Sequence, residues 1–131
     1  MDEFDSIVNE PAVRYHKATE GITKADFLSI VSMIGMNLTE FSSLLPVSKR
    51  TIEKVKDQEL LSPLVSDRVL QIGTLFRYGT DVFQNTASFQ SWLHTSLIAL
   101  GGKKPINLMN NDTGISIVRD LLGRIEHGVY S

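Results

Sequence analysis

Hydrophobic and polar residues recur along most of this chain with the spacing of a helix that buries one face. From residue 23 onward, apolar side chains return every three or four positions, first at Phe27, Ile30, Val31 and Ile34. The same spacing continues from Val65 to Phe83 and from Ile115 to Ile125. Between residues 23 and 56 no run alternates apolar and polar residues as a half-buried strand does. The pattern therefore predicts an all-α fold.

Capping residues divide the first part of this pattern into three short helices. Thr23 precedes the first helix and Asn37 the second, each followed three residues later by an acidic residue, which is typical of a helix N-terminus. Pro46 cannot continue the second helix. Ser48 is the predicted N-cap of a third helix with the sequence KRTIEKVK.

The remaining helices are longer and are separated by turns. Ser62 followed by Pro63 predicts the start of a helix that runs to about Phe83. A further helix carries Phe89, Trp92 and Leu93, and the segment LGGKKP is a turn, because its glycines accept positive φ. The last helix starts near Asp112 or Thr113.

A break in the periodicity around DQELLSP suggests a boundary between two domains. Residues 1–20 show no sustained periodicity and contain Pro11, so they are expected to form an acidic, loosely held arm. The predicted organisation is an arm at 1–20, a helix-turn-helix domain at 21–60 and a helical domain at 61–131.

Composition excludes several classes of protein. Of 131 residues, 42% are hydrophobic and 21% charged, without cysteine and without a run of about 18 apolar residues, so we expect no disulfides and no membrane span. The acidic N-terminus does not resemble a signal peptide, which favours the cytoplasm. The three histidines lack metal-ligand spacing and no nucleophile–base pair is visible. We therefore expect no catalytic residue, no metal and no cofactor.

Charge is concentrated in one stretch. The stretch from Val47 to Lys56 contains four basic residues and a single acidic one, Glu53, although the whole chain has a net charge of −2. Two short helices joined by a turn, the second one basic, predict a helix-turn-helix whose second helix enters the DNA major groove. The candidate DNA contacts are Ser48, Lys49, Arg50, Thr51 and Lys54. The alternative is a solvated cationic helix face on an ordinary bundle.

The segment GMNLTEFSSLLPVSKRTIEKV resembles the Xre-type helix-turn-helix of phage-like repressors. Tight DNA binders make roughly 6–10 phosphate contacts, more than the four cations of one copy supply. A DNA-binding form is therefore expected to present two such helices, about 34 Å apart, as a homodimer or within a larger assembly.

A closer resemblance covers residues 61–131. The landmarks SDRVL, ALGGKKPINLM and LLGRIEHGVYS are similar, in order and spacing, to the toxin-binding domain of Xre/MbcA/ParS antitoxins, which pair with RES-domain toxins. The resemblance implies a two-part antitoxin that binds its operator and silences a cognate RES toxin. RES toxins consume NAD, by degrading it or by transferring ADP-ribose, and the C-terminal segment of these antitoxins blocks the NAD site.

The end of the chain carries the residues that this mechanism needs. The predicted toxin-binding residues are Arg124, Glu126, His127, Gly128, Val129, Tyr130 and Ser131. Gly128 lets the chain leave its helix, and Tyr130 in a pocket buries about 150–250 Å². At ~25 cal/mol per Å² that burial is worth about 4–6 kcal/mol before ordering costs. The alternative is that Val129 and Tyr130 fold back as a hydrophobic cap on their own domain.

Two functions of different classes remain open. The first is the non-enzymatic antitoxin described above. The second is a stand-alone helix-turn-helix transcriptional regulator whose C-terminal domain only oligomerises. An adjacent reading frame that encodes a RES-domain protein would favour the first, and its absence would favour the second.

Overall fold

The computed structural model of the chain describes residues 10–128. Its α-helices are α1 (Pro11–Glu20), α2 (Lys24–Ile34), α3 (Leu38–Ser42), α4 (Lys49–Glu53), α5 (Pro63–Phe83), α6 (Thr86–Leu93) and α7 (Asp112–Glu126). Two 3₁₀ helices, Ile98–Leu100 and Pro105–Leu108, lie between α6 and α7. Over residues 10–128 the β structure is limited to an isolated antiparallel bridge between Thr23 and Leu60. The predicted all-α class is confirmed.

Helix α1 corrects the expectation for the N-terminal arm, since residues 11–20 are helical. Pro11 occupies the first helical position, where its missing N–H costs no hydrogen bond and its fixed φ favours the helix. None of the helix's residues is buried. Its half-buried face combines Val13 and Ala18 with Arg14 and Lys17, so it lacks the apolar stripe that periodicity detects.

The three predicted N-caps are confirmed by their hydrogen bonds. Thr23 Oγ1 accepts from the Asp26 amide at 3.1 Å, Asn37 Oδ1 from the Glu40 amide at 2.8 Å, and Ser48 Oγ from the Thr51 amide at 3.1 Å. Helix α4 ends at Glu53 and is therefore shorter than the KRTIEKVK segment predicted for it.

The chain forms two compact units that divide between Thr74 and Leu75, inside α5. The segment around residue 60, where the sequence predicted a domain boundary, instead packs within the first unit. The Leu61 amide donates to the carbonyl of Ile22 at 2.8 Å, and the Lys24 amide donates to the carbonyl of Glu59 at 3.0 Å. These backbone bonds fasten the segment after α4 to the start of α2, so a break in periodicity marked a packed turn here.

The core of the first unit is built around two phenylalanines and one buried serine. Phe27 and Phe41 are fully buried and meet edge to face, with ring centroids 5.6 Å apart. Ser66 is also fully buried, and its hydroxyl accepts from the Ile22 amide at 2.9 Å and donates to the Leu61 carbonyl. A buried hydroxyl is tolerated when it is bonded in this way.

The second unit is organised by an aromatic cluster between α5 and α6. Phe89 is fully buried, and its ring centroid lies 5.0 Å from that of Phe76, 5.9 Å from Phe83 and 6.0 Å from Trp92. Gly79 faces the Phe89 ring so closely that any Cβ at position 79 would overlap it. The absence of a side chain at position 79 therefore allows α6 to approach α5.

Helix α7 is seated on the second 3₁₀ helix. Asn111 caps α7 by accepting from the Gly114 amide at 2.8 Å, and Ile115, Val118 and Leu122 form its buried stripe. A Cβ at Gly114 would overlap the backbone carbonyl of Leu108. The start of α7 thus depends on a glycine at a position where the neighbouring backbone cannot yield.

We expect Gly114→Ala to destabilise the protein by about 1–3 kcal/mol, the usual cost of forcing extra atoms into a packed site. Gly123→Ala on the same helix is the matched control. Its Cβ would meet only the Tyr78 hydroxyl, at 3.7 Å, so alanine's better helix propensity is expected to leave stability unchanged or raise it by up to about 1 kcal/mol. Urea unfolding midpoints measure both, and equal midpoints would contradict this account of the α7 start.

Candidate functional site

The basic segment predicted to meet DNA is the short helix α4, which is held in place at both ends. Lys49 Nζ donates to Thr39 Oγ1 at 3.0 Å, which ties the first residue of α4 to α3. Lys24 Nζ donates to the carbonyl of Glu53 at 3.2 Å, which ties its last residue to the start of α2. At 1.5 Å per residue, five residues give a helix about 7.5 Å long.

The predicted DNA contacts are therefore not equivalent. Arg50 and Lys54 are exposed, whereas Lys49 is half-buried. Ser48 Oγ and Thr51 Oγ1 lie 2.9 Å apart and bond to each other while Ser48 also caps the helix. Among the five candidates, Arg50 and Lys54 are the cations that face solvent without a structural contact, so they are the best placed to reach an anionic partner.

The predicted toxin contacts begin on the last turn of α7, which is fastened to α5 by one side-chain hydrogen bond. The Tyr78 hydroxyl donates to Glu126 Oε1 at 2.9 Å. The same carboxylate oxygen lies 3.6 Å from Nε2 of His127, the C-cap residue of α7. Glu126 therefore interacts with Tyr78 as well as with its neighbour His127, and the end of α7 has a fixed attachment point.

The environment of Tyr78 raises the pKa of its hydroxyl above the ordinary tyrosine value. Burial is the largest cause, followed by the hydrogen bond to Glu126 and the negative charge of that carboxylate, while the positive charge of Arg119 opposes the shift. Each of the raising effects favours the protonated hydroxyl, which is the form that donates. The bond is therefore maintained across the neutral pH range.

A shallow depression lies where α7 ends. Its volume is about 410 Å³, and it is lined by Tyr78, Arg119, Asp120, Gly123, Arg124 and His127. We call this set the terminal depression. On α7 its members are spaced by one, three or four residues, so they share the face opposite the buried stripe. Two arginines and a histidine on one face favour a partner that carries carboxylates or phosphates.

The structure brings together two of the predicted toxin-binding residues and extends the set. Arg124 and His127 line the terminal depression, and Glu126 reaches it through Tyr78. Gly128 has a φ of +72°, a left-handed conformation that suits glycine at the end of a helix. Val129, Tyr130 and Ser131 lie outside the described residues.

Sequence reasoning missed Tyr78, Arg119 and Asp120. The two α7 residues had a signal, because they lie one helical turn before Gly123 and Arg124. Tyr78 had none, because it lies 48 residues from Glu126 along the chain and reaches it only through tertiary packing.

Among residues 10–128, no group of three or more His, Cys, Asp or Glu side chains is arranged to hold a metal ion. Of the helices that the structure describes, none combines the length and the apolar character needed to span a membrane.

We expect Tyr78→Phe to loosen the last turn of α7 while the fold persists. Loss of one hydrogen bond costs about 0.5–1.5 kcal/mol, and hydrogen exchange at the amides of residues 124–128 is expected to accelerate more than exchange at 115–118. Tyr15→Phe, at a tyrosine that is 75% exposed, is the control and should leave both segments unchanged. Uniform acceleration along α7 would show that the Tyr78 hydroxyl does not act locally.

The Tyr78 bond also predicts a dependence on alkaline pH. Free tyrosine ionises near about pH 10, and the raised pKa means that Tyr78 ionises later. The bond's contribution to stability is therefore complete below about pH 10 and disappears as the pH rises through the higher folded-state value. Subtracting the phenolate absorbance titration of Tyr78→Phe from that of the wild type isolates this residue. An isolated transition at or below the ordinary tyrosine value would contradict the proposed environment.

Comparison with known proteins finds a match within this second unit. Residues 79–128 match the model of the antitoxin Xre/MbcA/ParS C-terminal toxin-binding domain. A curated antitoxin Xre from Yersinia enterocolitica is 32% identical over 71 residues, which cover 53% of this chain and 48% of that protein. The match thus spans about half the length of this relative.

Two longer matches extend the comparison to most of the chain. The Prs ADP-ribosylating antitoxin of a Sphingobium species is 25% identical over an alignment that covers 92% of this chain and 82% of the relative. A chain in the crystal structure of the M. tuberculosis MbcT–MbcA toxin–antitoxin complex superposes with a TM-score of 0.62 at 17% identity. That superposition covers 82% of this chain and 96% of the other, and at this identity it shows a shared fold.

The family match falls on the unit whose last helix ends beside the terminal depression, and the curated relatives that it resembles are antitoxins. The chain is therefore similar to Xre/MbcA/ParS antitoxins, and its residues 79–128 match the model of their C-terminal toxin-binding domain.

Proposed function

We propose that this protein is a non-enzymatic, cytoplasmic antitoxin that neutralises a cognate RES-domain toxin by occluding the toxin's NAD site with its C-terminal segment. The observation that carries the proposal is the match of residues 79–128 to a toxin-binding domain whose last helix ends in a fixed position. Three residues follow Gly128, and one of them is Tyr130.

The geometry supports insertion of this segment because its starting point is restrained. Glu126 is bonded to Tyr78, and Gly128 adopts a left-handed turn immediately afterwards. A short tail that leaves a fixed helix end explores less space than one that leaves a frayed helix, so less entropy is lost when it enters a cleft. Arg119, Arg124 and His127 then surround the exit with groups that complement an acidic rim.

The first unit supplies the second half of the proposal, repression of the antitoxin's own operon. Arg50 on α4 and Lys54 directly after it are exposed, and α4 is held by contacts with Thr39 and Lys24. Arginine matches the paired acceptors on guanine, and lysine neutralises phosphate. Since one copy offers few cations, operator binding is proposed to need a homodimer within a toxin–antitoxin assembly.

We expect Tyr130→Ala to weaken toxin binding by about 2 kcal/mol or more, roughly thirtyfold, as for an aromatic anchor in a pocket. Tyr130→Phe keeps the buried ring and should retain most of the affinity. The control is Tyr15→Ala, at an exposed tyrosine of the first unit. Calorimetry with the purified toxin gives the affinities, and inhibition of NAD consumption gives the functional consequence.

Deletion of residues 128–131 tests the same mechanism in cells. The truncated protein should fail to protect against the toxin, while its affinity for operator DNA should match that of the full chain. Full protection by the truncated protein would overturn occlusion by the tail.

We expect Arg50→Glu to lower operator affinity and to reduce the salt dependence of binding by about one ion, as expected for loss of a phosphate or base contact. Lys103→Glu introduces the same charge change in the other unit and serves as the control. Fluorescence anisotropy with operator DNA at several salt concentrations measures both. Equal losses in the two variants would mean that α4 is not the contacting helix.

A further inference from the structure

The segment between α6 and the second 3₁₀ helix exposes an apolar tip. Ile98 is 98% exposed, the highest value among the large hydrophobic residues that the structure describes. Ala99 is exposed, and Leu97 and Leu100 are half-buried, so four consecutive apolar residues lie at the surface. We refer to residues 97–104 as the apolar loop. A run of this kind lowers solubility and is unusual unless it serves a function.

The apolar loop is held in one conformation by its own backbone. The Leu97 amide donates to the carbonyl of Lys103 at 3.1 Å, and the Leu97 carbonyl accepts from the amides of Leu100 at 3.0 Å and Gly102 at 2.9 Å. Gly101 and Gly102 take positive φ values of 65° and 85°, which close the turn. The tip is therefore preorganised, although the Ile98 side chain contributes almost nothing to the core.

Two lysines flank the apolar tip. Lys103 and Lys104 are exposed, and neither ammonium group pairs with a carboxylate within residues 10–128. The surface thus combines one protruding aliphatic side chain with two free positive charges. Its complement is an apolar pocket with carboxylates on its rim.

We propose that the apolar loop is a second contact with the cognate toxin, in which Ile98 enters an apolar pocket and Lys103 and Lys104 pair with acidic side chains around it. This inference rests on the proposed function, since it takes the toxin as the partner. It is favoured by the position of the loop inside residues 79–128, the part of the chain that matches a toxin-binding domain.

The charges argue against a second copy of this chain as the occupant. In a two-fold symmetric contact the same patch meets itself, so the four lysines of two loops would lie together. Like charges in one interface oppose association. A partner that carries the opposite charge has no such cost, and its approach would be accelerated by attraction to the lysines.

The loop and the tail would then act as two linked contacts. A rigid projection on one part of the domain and a short tail on another bind the same partner more tightly than either alone, because the first contact raises the effective concentration of the second. The loop supplies a preformed surface, whereas the tail reaches into the cleft. Loss of the loop is therefore expected to speed dissociation of the whole complex.

The test uses the purified full chain and the purified cognate RES-domain toxin. Ile98→Ser should weaken binding about 10- to 100-fold, the effect of removing one buried aliphatic side chain. Leu64→Ser, at a leucine that is 65% exposed in the first unit, is the matched control and should leave the affinity unchanged. Melting temperatures of both variants should equal that of the wild type, because neither side chain is buried.

A second variant separates the charges from the apolar contact. Lys103→Glu with Lys104→Glu should slow association and reduce its dependence on salt, as measured by stopped-flow mixing. On addition of toxin, hydrogen exchange at the amides of residues 97–103 should slow in the wild type and change little in Ile98→Ser.

The possible outcomes decide between the alternatives. If the wild type binds the toxin and Ile98→Ser binds equally well, the loop contact is refuted while the antitoxin function stands. If the wild type does not bind the toxin at all, the proposed function itself fails. A change in oligomeric state or in operator affinity, with toxin affinity preserved, would assign the loop to a second copy or to DNA and would overturn this inference.

Discussion

The second unit depends on the close approach of Phe89 to Gly79. Because position 79 has no side chain, the Phe89 ring is fully buried against α5 and completes a cluster with Phe76, Phe83 and Trp92. This contact sets α6 on α5. The second 3₁₀ helix packs on both α6 and α7. The hydrogen bond from Tyr78 to Glu126 then connects α7 to α5. The contacts therefore close a ring in which each helix is held by two neighbours.

This ring explains why two very different surfaces occur on one small unit. The apolar loop follows α6 and is fixed by its own backbone bonds, and the terminal depression forms where α7 meets Tyr78. Both surfaces are placed by buried contacts made elsewhere in the unit. A surface supported in this way would lose little conformational entropy on binding a partner.

In the first unit, side-chain hydrogen bonds position the short helix α4. A five-residue helix such as α4 has little intrinsic stability and is held by tertiary contacts. The Lys49–Thr39 and Lys24–Glu53 bonds, together with the buried Ile52, supply these contacts. One consequence is that the Lys49 ammonium group is engaged in a structural hydrogen bond. Arg50 and Lys54 remain as the solvent-facing cations.

The sequence by itself determined the helices that have a buried face and their starting residues, because periodicity and caps such as Thr23, Asn37 and Ser48 are local properties. It did not determine α1, which has no fully buried residue, or the packing of residues 57–61 against the start of α2. The tertiary structure alone decided the pairing of Tyr78 with Glu126, the use of Lys49 and the membership of the terminal depression. These features join residues far apart in the chain, and spacing along one helix carries no information about what another helix places beside it.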